Sequence, residues 1–151
     1  MSFRPSEASG EIYNIMNLKD AENAIVEEFS MYEEWLDKYE YLIELGKSLQ
    51  DYPEVAKTDD KLIKGCQSRV WLDYRMVDGK IVFNADSDAI ITKGIISLLI
   101  GLYSDRTPKE ILSSDFSVVE KIGLKENLSP TRANGLVSMI AKIRQIASDN
   151  C

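Results

Sequence analysis

The order of apolar and polar positions divides the chain into stretches of different period. From Leu18 the apolar residues recur at helical spacing. Leu18, Ala21, Ile25, Val26 and Phe29 share one face, and Glu27, Glu28, Glu33 and Glu34 follow on the wet side. A second helix is predicted over 35–49, with Trp35, Tyr39, Leu42, Leu45 and Leu49 facing inward and Tyr41 packing beside them. Pro53 disfavours helical backbone at Tyr52, so Gln50-Asp51-Tyr52-Pro53 ends that helix, and residues 54–60 read as a polar connection. The period then changes to two: Val70, Leu72, Tyr74 and Met76 alternate with Trp71, Asp73, Arg75 and Val77. Asp78-Gly79 separates this run from Lys80-Ile81-Val82-Phe83. It predicts a hairpin with a type I′ turn, whose two central residues both need positive φ. Leu62-Ile63 predicts a short third strand ahead of the hairpin.

The remainder is helical. Residues 89–103 are apolar nearly all round, as a buried central helix requires. Asp86 and Asp88 stand before it and are expected to cap it, a reading preferred to metal ligation because carboxylates complement the positive end of a helix. Thr107-Pro108-Lys109-Glu110 is a capping box with proline at the first helical position. Ser117 and Glu120 repeat the spacing, with Gly123 placed to close that short helix. Ser129-Pro130 opens a long helix whose buried stripe is Leu136, Met139, Ile140, Ile143 and Ile146. Strands segregated from helices in this way imply an α+β fold, a small antiparallel β-sheet packed against several α-helices. Residues 1–17, of mixed polarity with Pro5 and Gly10, predict a flexible leader, and 18–151 a single domain.

Composition narrows the chemistry. The 151 residues are 44% hydrophobic and 28% charged, with 25 acidic against 18 basic side chains and a formal net charge of -7. That balance argues against nucleic acid and against an anionic membrane surface as partners. The longest apolar stretch, residues 95–103, is too short to span a bilayer and is interrupted by Ser97 and Gly101. There are two cysteines and no histidine. Ser-His and Cys-His mechanisms within the chain are thereby excluded, and three- or four-ligand zinc or iron–sulfur sites cannot be assembled from cysteine and histidine. Cys151 is the terminal residue, a poor anchor for a disulfide to Cys66. Sparse cysteines and the absence of an apolar secretory segment lead us to expect a reducing, cytoplasmic setting.

Cys66 is the candidate functional residue. It sits in Lys64-Gly65-Cys66-Gln67-Ser68-Arg69, a loop-like segment just before the best-patterned strand. Gly65 supplies backbone freedom, and a thiol at the tip of such a loop can enter another protein's active site. Lys64 and Arg69 flank it, and nearby positive charge favours the nucleophilic thiolate. The competing reading is an inert core thiol, since a lone cysteine is among the most buried residue types. The polar, loop-like neighbours and the positive flanks in an acidic chain favour an exposed nucleophile. Arg132, in the first turn of the last helix, faces the positive end of the helix dipole. That placement points to a partner or a carboxylate, beside the simpler reading of an exposed arginine with no role.

Several segments resemble one family. Tyr41-Leu42-Ile43-Glu44-Leu45-Gly46, Gly65-Cys66-Gln67-Ser68-Arg69-Val70-Trp71, Asp86-Ser87-Asp88-Ala89 with Lys93-Gly94, and Leu128-Ser129-Pro130-Thr131-Arg132 with Gly135-Leu136 are similar, in this order, to the SufE family. The resemblance covers roughly residues 25–146, and the segment around Cys66 is its most specific part. It implies the fold shared with IscU-like scaffolds, although this chain lacks the three cysteines of that subgroup. It implies that Cys66 accepts sulfane sulfur from the persulfide of a PLP-dependent cysteine desulfurase of the SufS kind. The protein would stimulate that enzyme and pass the sulfur to an iron–sulfur scaffold of the SufB kind. The chain would then be a carrier and activator, not itself an enzyme, with no cofactor or metal of its own. Gly65, Gln67, Ser68, Arg69 and Arg132 are expected to contact the partner. No role is implied for Cys151.

Overall fold

The computed structural model describes residues 16–151, so the expected leader over 1–17 lies outside the described residues except for its last two. Met16 packs against the core, and its carbonyl accepts a hydrogen bond from the buried Arg106 guanidinium. Asn17 caps the first helix, its side-chain oxygen accepting from the Asp20 N–H at 2.8 Å. That helix, α1, runs Leu18–Ser30 and buries Leu18, Ala21, Ile25 and Phe29 on the predicted face. Glu28, expected on the wet side, is buried as well; three residues beyond Ile25, it flanks that face.

Helix α2 runs Trp35–Lys47 and stops short of Leu49. The Ser48 hydroxyl turns back to the Leu45 carbonyl at 2.6 Å, a local bond that competes with helix continuation. Tyr41 and Leu42 are its deepest side chains, with Tyr41 edge-on to Phe29 at 5.2 Å between ring centres. Trp35 and Tyr39 are half-buried. Both donate to the Asn127 carbonyl, at 3.2 and 2.6 Å, tying α2 to the segment that leads into the last helix. The polar connection contains two 3-10 turns, Glu54–Ala56 and Asp59–Lys61.

Strands β1 (Val70–Val77) and β2 (Lys80–Ser87) form a two-stranded antiparallel sheet in register from Val70↔Ser87 to Val77↔Lys80. Asp78 and Gly79 have φ of 52° and 79°, as the predicted hairpin turn demands. β2 continues past Phe83 because Ile81, Phe83, Ala85 and Ser87 keep alternating onto the buried side. The expected third strand at Leu62-Ile63 is reduced to one bridge between Leu62 and Trp71, with the Ile63 N–H donating to the Val70 carbonyl at 2.9 Å. The edge of β2 is held by the Ile81 N–H to the Arg106 carbonyl (2.8 Å) and the Asp105 N–H to the Ile81 carbonyl (2.7 Å).

Helix α3 (Ile90–Tyr103) is the buried centre, with the sheet packed on one side and α2 on the other. Two glycines set the α2–α3 approach: a Cβ at Gly94 would stand 2.2 Å from the Leu42 carbonyl oxygen, and one at Gly46 would stand 3.0 Å from the Gly94 nitrogen. Ser97 seals the contact by donating to the Leu45 carbonyl at 2.7 Å. Helix α4 (Pro108–Ser113) carries the predicted Thr107 cap, which accepts from the Glu110 N–H. Helix α5 (Val118–Lys121) does not use its predicted cap; the Ser117 N–H is instead taken by Asp115 Oδ1 at 2.9 Å. Gly123, at φ 73°, closes it as expected. Helix α6 (Pro130–Asp149) is capped by Ser129 and buries Leu136, Met139, Ile143 and Ile146, with Ile140 half-buried. The architecture is α+β, a small antiparallel sheet against helices. Among the described residues no helix is long and apolar enough to cross a membrane.

Candidate functional site

Residues 64–69 leave and rejoin the sheet at nearly one point, because the Ile63 N–H to Val70 carbonyl bond closes the base of the loop. Its exit is clamped by the end of β2. Asp88 Oδ1 accepts from the Arg69 N–H at 3.0 Å, the Asp88 N–H donates to the Arg69 carbonyl at 3.2 Å, and the Ser87 hydroxyl donates to the same carbonyl at 2.8 Å. The tip lies on α6. Gly65 adopts φ 95°, and a Cβ there would stand 2.3 Å from Ser138 Oγ. On the facing helix a Cβ at Gly135 would stand 3.4 Å from Cys66 Sγ. A glycine on each side therefore lets the loop seat closely.

In that seat Cys66 is half-buried, and its thiol donates to the Gly135 carbonyl with Sγ and oxygen 3.6 Å apart. The thiol opens onto a cavity of about 340 Å³. The loop contributes Cys66, Gln67 and Ser68 to its lining, α3 contributes Thr92 and Ile95, and α6 with its cap contributes Ser129, Thr131, Arg132, Gly135 and Met139. Between the exposed thiol expected and the core thiol that competed with it, Cys66 is intermediate: half-buried and open to the cavity.

The electrostatic expectation is corrected. Burial pushes the Cys66 thiol above its ordinary value. Lys64 and Arg69, expected to favour the thiolate, are exposed residues and do not line the cavity; water screens charges placed that way. Burial therefore favours the neutral thiol of Cys66 over the thiolate.

The expected site residues divide accordingly. Gln67, Ser68 and Arg132 share the cavity with Cys66, whereas Gly65 lies outside the lining and seats the loop against Ser138 of α6. Arg69 is fixed through its backbone and is not part of the lining. Among the described residues no carboxylate pairs with the Arg132 guanidinium, which is exposed at the cavity mouth. Gly135, Ser138, Thr92 and Met139 were not singled out from the sequence for this site. Gly135 carried a signal: a glycine inside a long helix costs about 1 kcal/mol against alanine, which points to a close approach.

Asp86 and Asp88 do not cap α3. Its first turn has no side-chain cap; Ser87 Oγ accepts from the N–H of Ala89, the residue before the helix, at 3.3 Å. Asp88 holds the loop exit, and Asp86 pairs with Lys57 at 3.1 Å and Lys93 at 3.2 Å. Burial raises the Asp86 carboxyl, but hydrogen bonds from Lys57, the Ser87 backbone and Lys93 outweigh it and hold the group below the usual carboxylate range. Lys57 also lies over the Trp71 ring at 5.1 Å, so this cluster stiffens the strand end beneath the loop. Among the described residues no group of three or more cysteine, aspartate or glutamate side chains is arranged to hold a metal ion.

The chain is similar to known proteins over most of its length. Residues 23–147 match the SufE family, described as an Fe-S metabolism associated domain. An uncharacterised SufE-like protein of Rhizobium meliloti (strain 1021) is 40% identical over 128 residues, covering 82% of this chain and 91% of that protein. Another from Rhizobium etli is 40% identical over 128 residues, covering 82% and 86% respectively. A solution structure of a hypothetical protein from Thermus thermophilus is similar in fold, with a TM-score of 0.70 at 19% identity, covering 89% of this chain and 95% of that one. The match begins within α1 and ends within α6, taking in the hairpin and the cysteine loop between them; the chain belongs to the SufE family, and its role lies in iron–sulfur metabolism.

Proposed function

We propose that the protein is a sulfur acceptor and carrier. It takes sulfane sulfur onto Cys66 from the persulfide of a PLP-dependent cysteine desulfurase of the SufS kind, stimulates that enzyme, and delivers the sulfur to an iron–sulfur scaffold of the SufB kind. The observation that carries this reading is the placement of Cys66: a single thiol at the tip of a short loop closed at its base, seated over a cavity that can shelter a labile outer sulfur. Arg132 at the mouth, with the exposed Gly65, Gln67 and Arg69, forms the face offered to the partner.

The transfer is a thiol exchange. The Cys66 thiolate attacks the outer sulfur of the donor persulfide, a new S–S bond forms, the donor's S–S bond breaks, and the donor cysteine leaves as thiolate. The proton lost by Cys66 is balanced by the thiolate released, so no net oxidation occurs. At rest the buried thiol is protonated, which protects it from adventitious oxidants. Withdrawal of the loop from α6 removes the burial that disfavours the thiolate. Attack is thereby linked to docking. The carbon–sulfur cleavage belongs to the partner's PLP, so this chain acts without a cofactor of its own and is not itself an enzyme. An unpaired thiol in this role suits a reducing, cytoplasmic setting.

The test is mass spectrometry of the protein after incubation with a cysteine desulfurase and cysteine. Cys66 should gain one sulfur atom, and Cys66→Ser should gain none while retaining its fold. A Cys66→Ser protein that accepts sulfur as well as the parent refutes the assignment.

A further inference from the structure

The cavity beside Cys66 is not apolar throughout. Thr92 on α3 is only 6% exposed, yet it lines the cavity, and its hydroxyl makes no hydrogen bond with any described residue. The hydroxyl is not sealed in the core but opens onto the cavity, where it can donate to an occupant. The inventory of the cavity says which kind. The Gly135 carbonyl is already engaged by the Cys66 thiol, while the Gln67 amide and the Ser68, Ser129 and Thr131 hydroxyls can each donate or accept. What sets the sign is charge: the Arg132 guanidinium and the positive end of the α6 dipole, with the Thr92 hydroxyl as a further donor. Arg132 is the one charged side chain in the lining; α3 adds only the neutral Thr92 and Ile95, and the loop only Gln67 and Ser68 beside the thiol. The lining therefore suits an acceptor, preferably an anion, in the cavity that Cys66 shares.

A persulfide on Cys66 meets that description. Its outer sulfur lies one S–S bond, about 2.05 Å, beyond Sγ. It ionises more readily than a thiol because the charge rests on a polarisable sulfur next to a second one. The cavity of about 340 Å³ is roughly ten times the ~30 Å³ share of one water, so a further sulfur fits without displacing the walls. We propose that the Thr92 hydroxyl donates a hydrogen bond to the outer sulfur of a Cys66 persulfide and holds that sulfur in the cavity. This rests on the sulfur-acceptor reading of Cys66 and adds to it a residue that distinguishes the loaded from the empty carrier. The neutral thiol uses the Gly135 carbonyl, and the charged persulfide uses Thr92.

The test loads the sulfur without a desulfurase. In a Cys151→Ser background, Cys66 is converted to a mixed disulfide with an aryl disulfide reagent, and hydrosulfide then attacks Sγ. The bond from Sγ to the aryl sulfur breaks, the Cys66 persulfide forms, and the aryl thiolate leaves. Alkylation of the persulfide by iodoacetamide is followed by intact mass as a function of pH, with the unloaded thiol measured in parallel. Thr92→Val keeps the side-chain shape and removes the donor. It should raise the pH midpoint of persulfide alkylation by about one pH unit, a roughly tenfold slower reaction below the midpoint. Thr92→Ser should restore the parent profile, and the thiol profile should stay the same in all three proteins. Thr92→Ala gives the same upward shift should the valine variant not fold. An unmoved persulfide profile, equal shifts in the valine and serine variants, or a thiol profile that moves with the persulfide overturns the proposal. Failure of the sulfur-acceptor reading is a separate result, seen as no sulfur gained from desulfurase and cysteine, because chemical loading bypasses that step.

Discussion

Gly65→Ala probes how the cysteine loop is seated, and its effect separates into two parts. At φ 95° a side chain strains the backbone, at about 1–3 kcal/mol for a residue held in so sparsely populated a region. The new Cβ also meets Ser138, 2.3 Å from Oγ and 3.3 Å from Cβ. The Oγ contact is relieved by rotating or removing a small side chain; the backbone strain is not. Against this stands the direct bond from the tip to α6, a single S–H···O contact of 3.6 Å, on the order of 0.5–1 kcal/mol. The strain is comparable to that bond together with the packing of Cys66 on the core, so the loop should lift off α6 far more often while the core stays folded. Cys66 then leaves the cavity, and the burial that pushes its thiol up is relieved. Each pH unit regained multiplies the thiolate fraction near neutrality by about ten. Iodoacetamide labelling of Cys66 in a Cys151→Ser background should therefore be several-fold faster in Gly65→Ala, with urea unfolding showing a loss of no more than about 3 kcal/mol. Adding Ser138→Ala should recover part of the stability and little of the parent's slow labelling. Labelling at or below the parent rate would refute the seating of the loop on α6 as the cause of the raised thiol.

Three further outcomes follow from burial and packing. Because the folded state holds the Cys66 thiol above its unfolded value, the proton it keeps contributes stability that is complete below ordinary thiol ionisation and is lost as pH rises through the raised native value. Urea midpoints of the parent should therefore fall more steeply than those of Cys66→Ser above about pH 8.5, and parallel curves across that range would count against it. Gly94→Ala should destabilise the protein, because its Cβ meets the backbone carbonyl of Leu42, which cannot rotate away. An overpacking cost of about 1–3 kcal/mol or more outweighs the roughly 1 kcal/mol gained in helix propensity. Gly101→Ala, with open space around the new methyl, should instead raise the melting temperature in the same thermal scan.

What could be read from the chain before its fold depended on how local the cause was. The Asp78-Gly79 hairpin, the Thr107 and Ser129 caps and the buried stripe of α6 are decided within a few residues, and they stand as expected. Cys66 was recognisable from its polar, glycine-bearing surroundings. The state of its thiol was not, because the groups that bury it come from α6 and α3. Gly135 lies 69 positions along the chain from the cysteine. The same distance hid Thr92, which inside an apolar helix reads as filler until the loop is laid over it. Asp86 and Asp88 failed as helix caps for a related reason. β2 runs further than its first four residues suggested, and pairing with β1 carries both carboxylates to the root of the cysteine loop, where lysines and a backbone N–H claim them.

On the proposed sulfur-carrier reading, the two clamps at the root of the loop also fix how far the cargo would travel. Cys66 stands three residues from Ile63 on one side and three from Arg69 on the other, both held to the sheet. A chain gains at most about 3.5 Å per residue when fully drawn out. The thiol can therefore swing no more than roughly 10 Å from its moorings while the sheet stays intact. A donor cysteine recessed further than that in its own protein must come forward to meet it, so the span between two docked surfaces is shared between two short arms and not crossed by one long one.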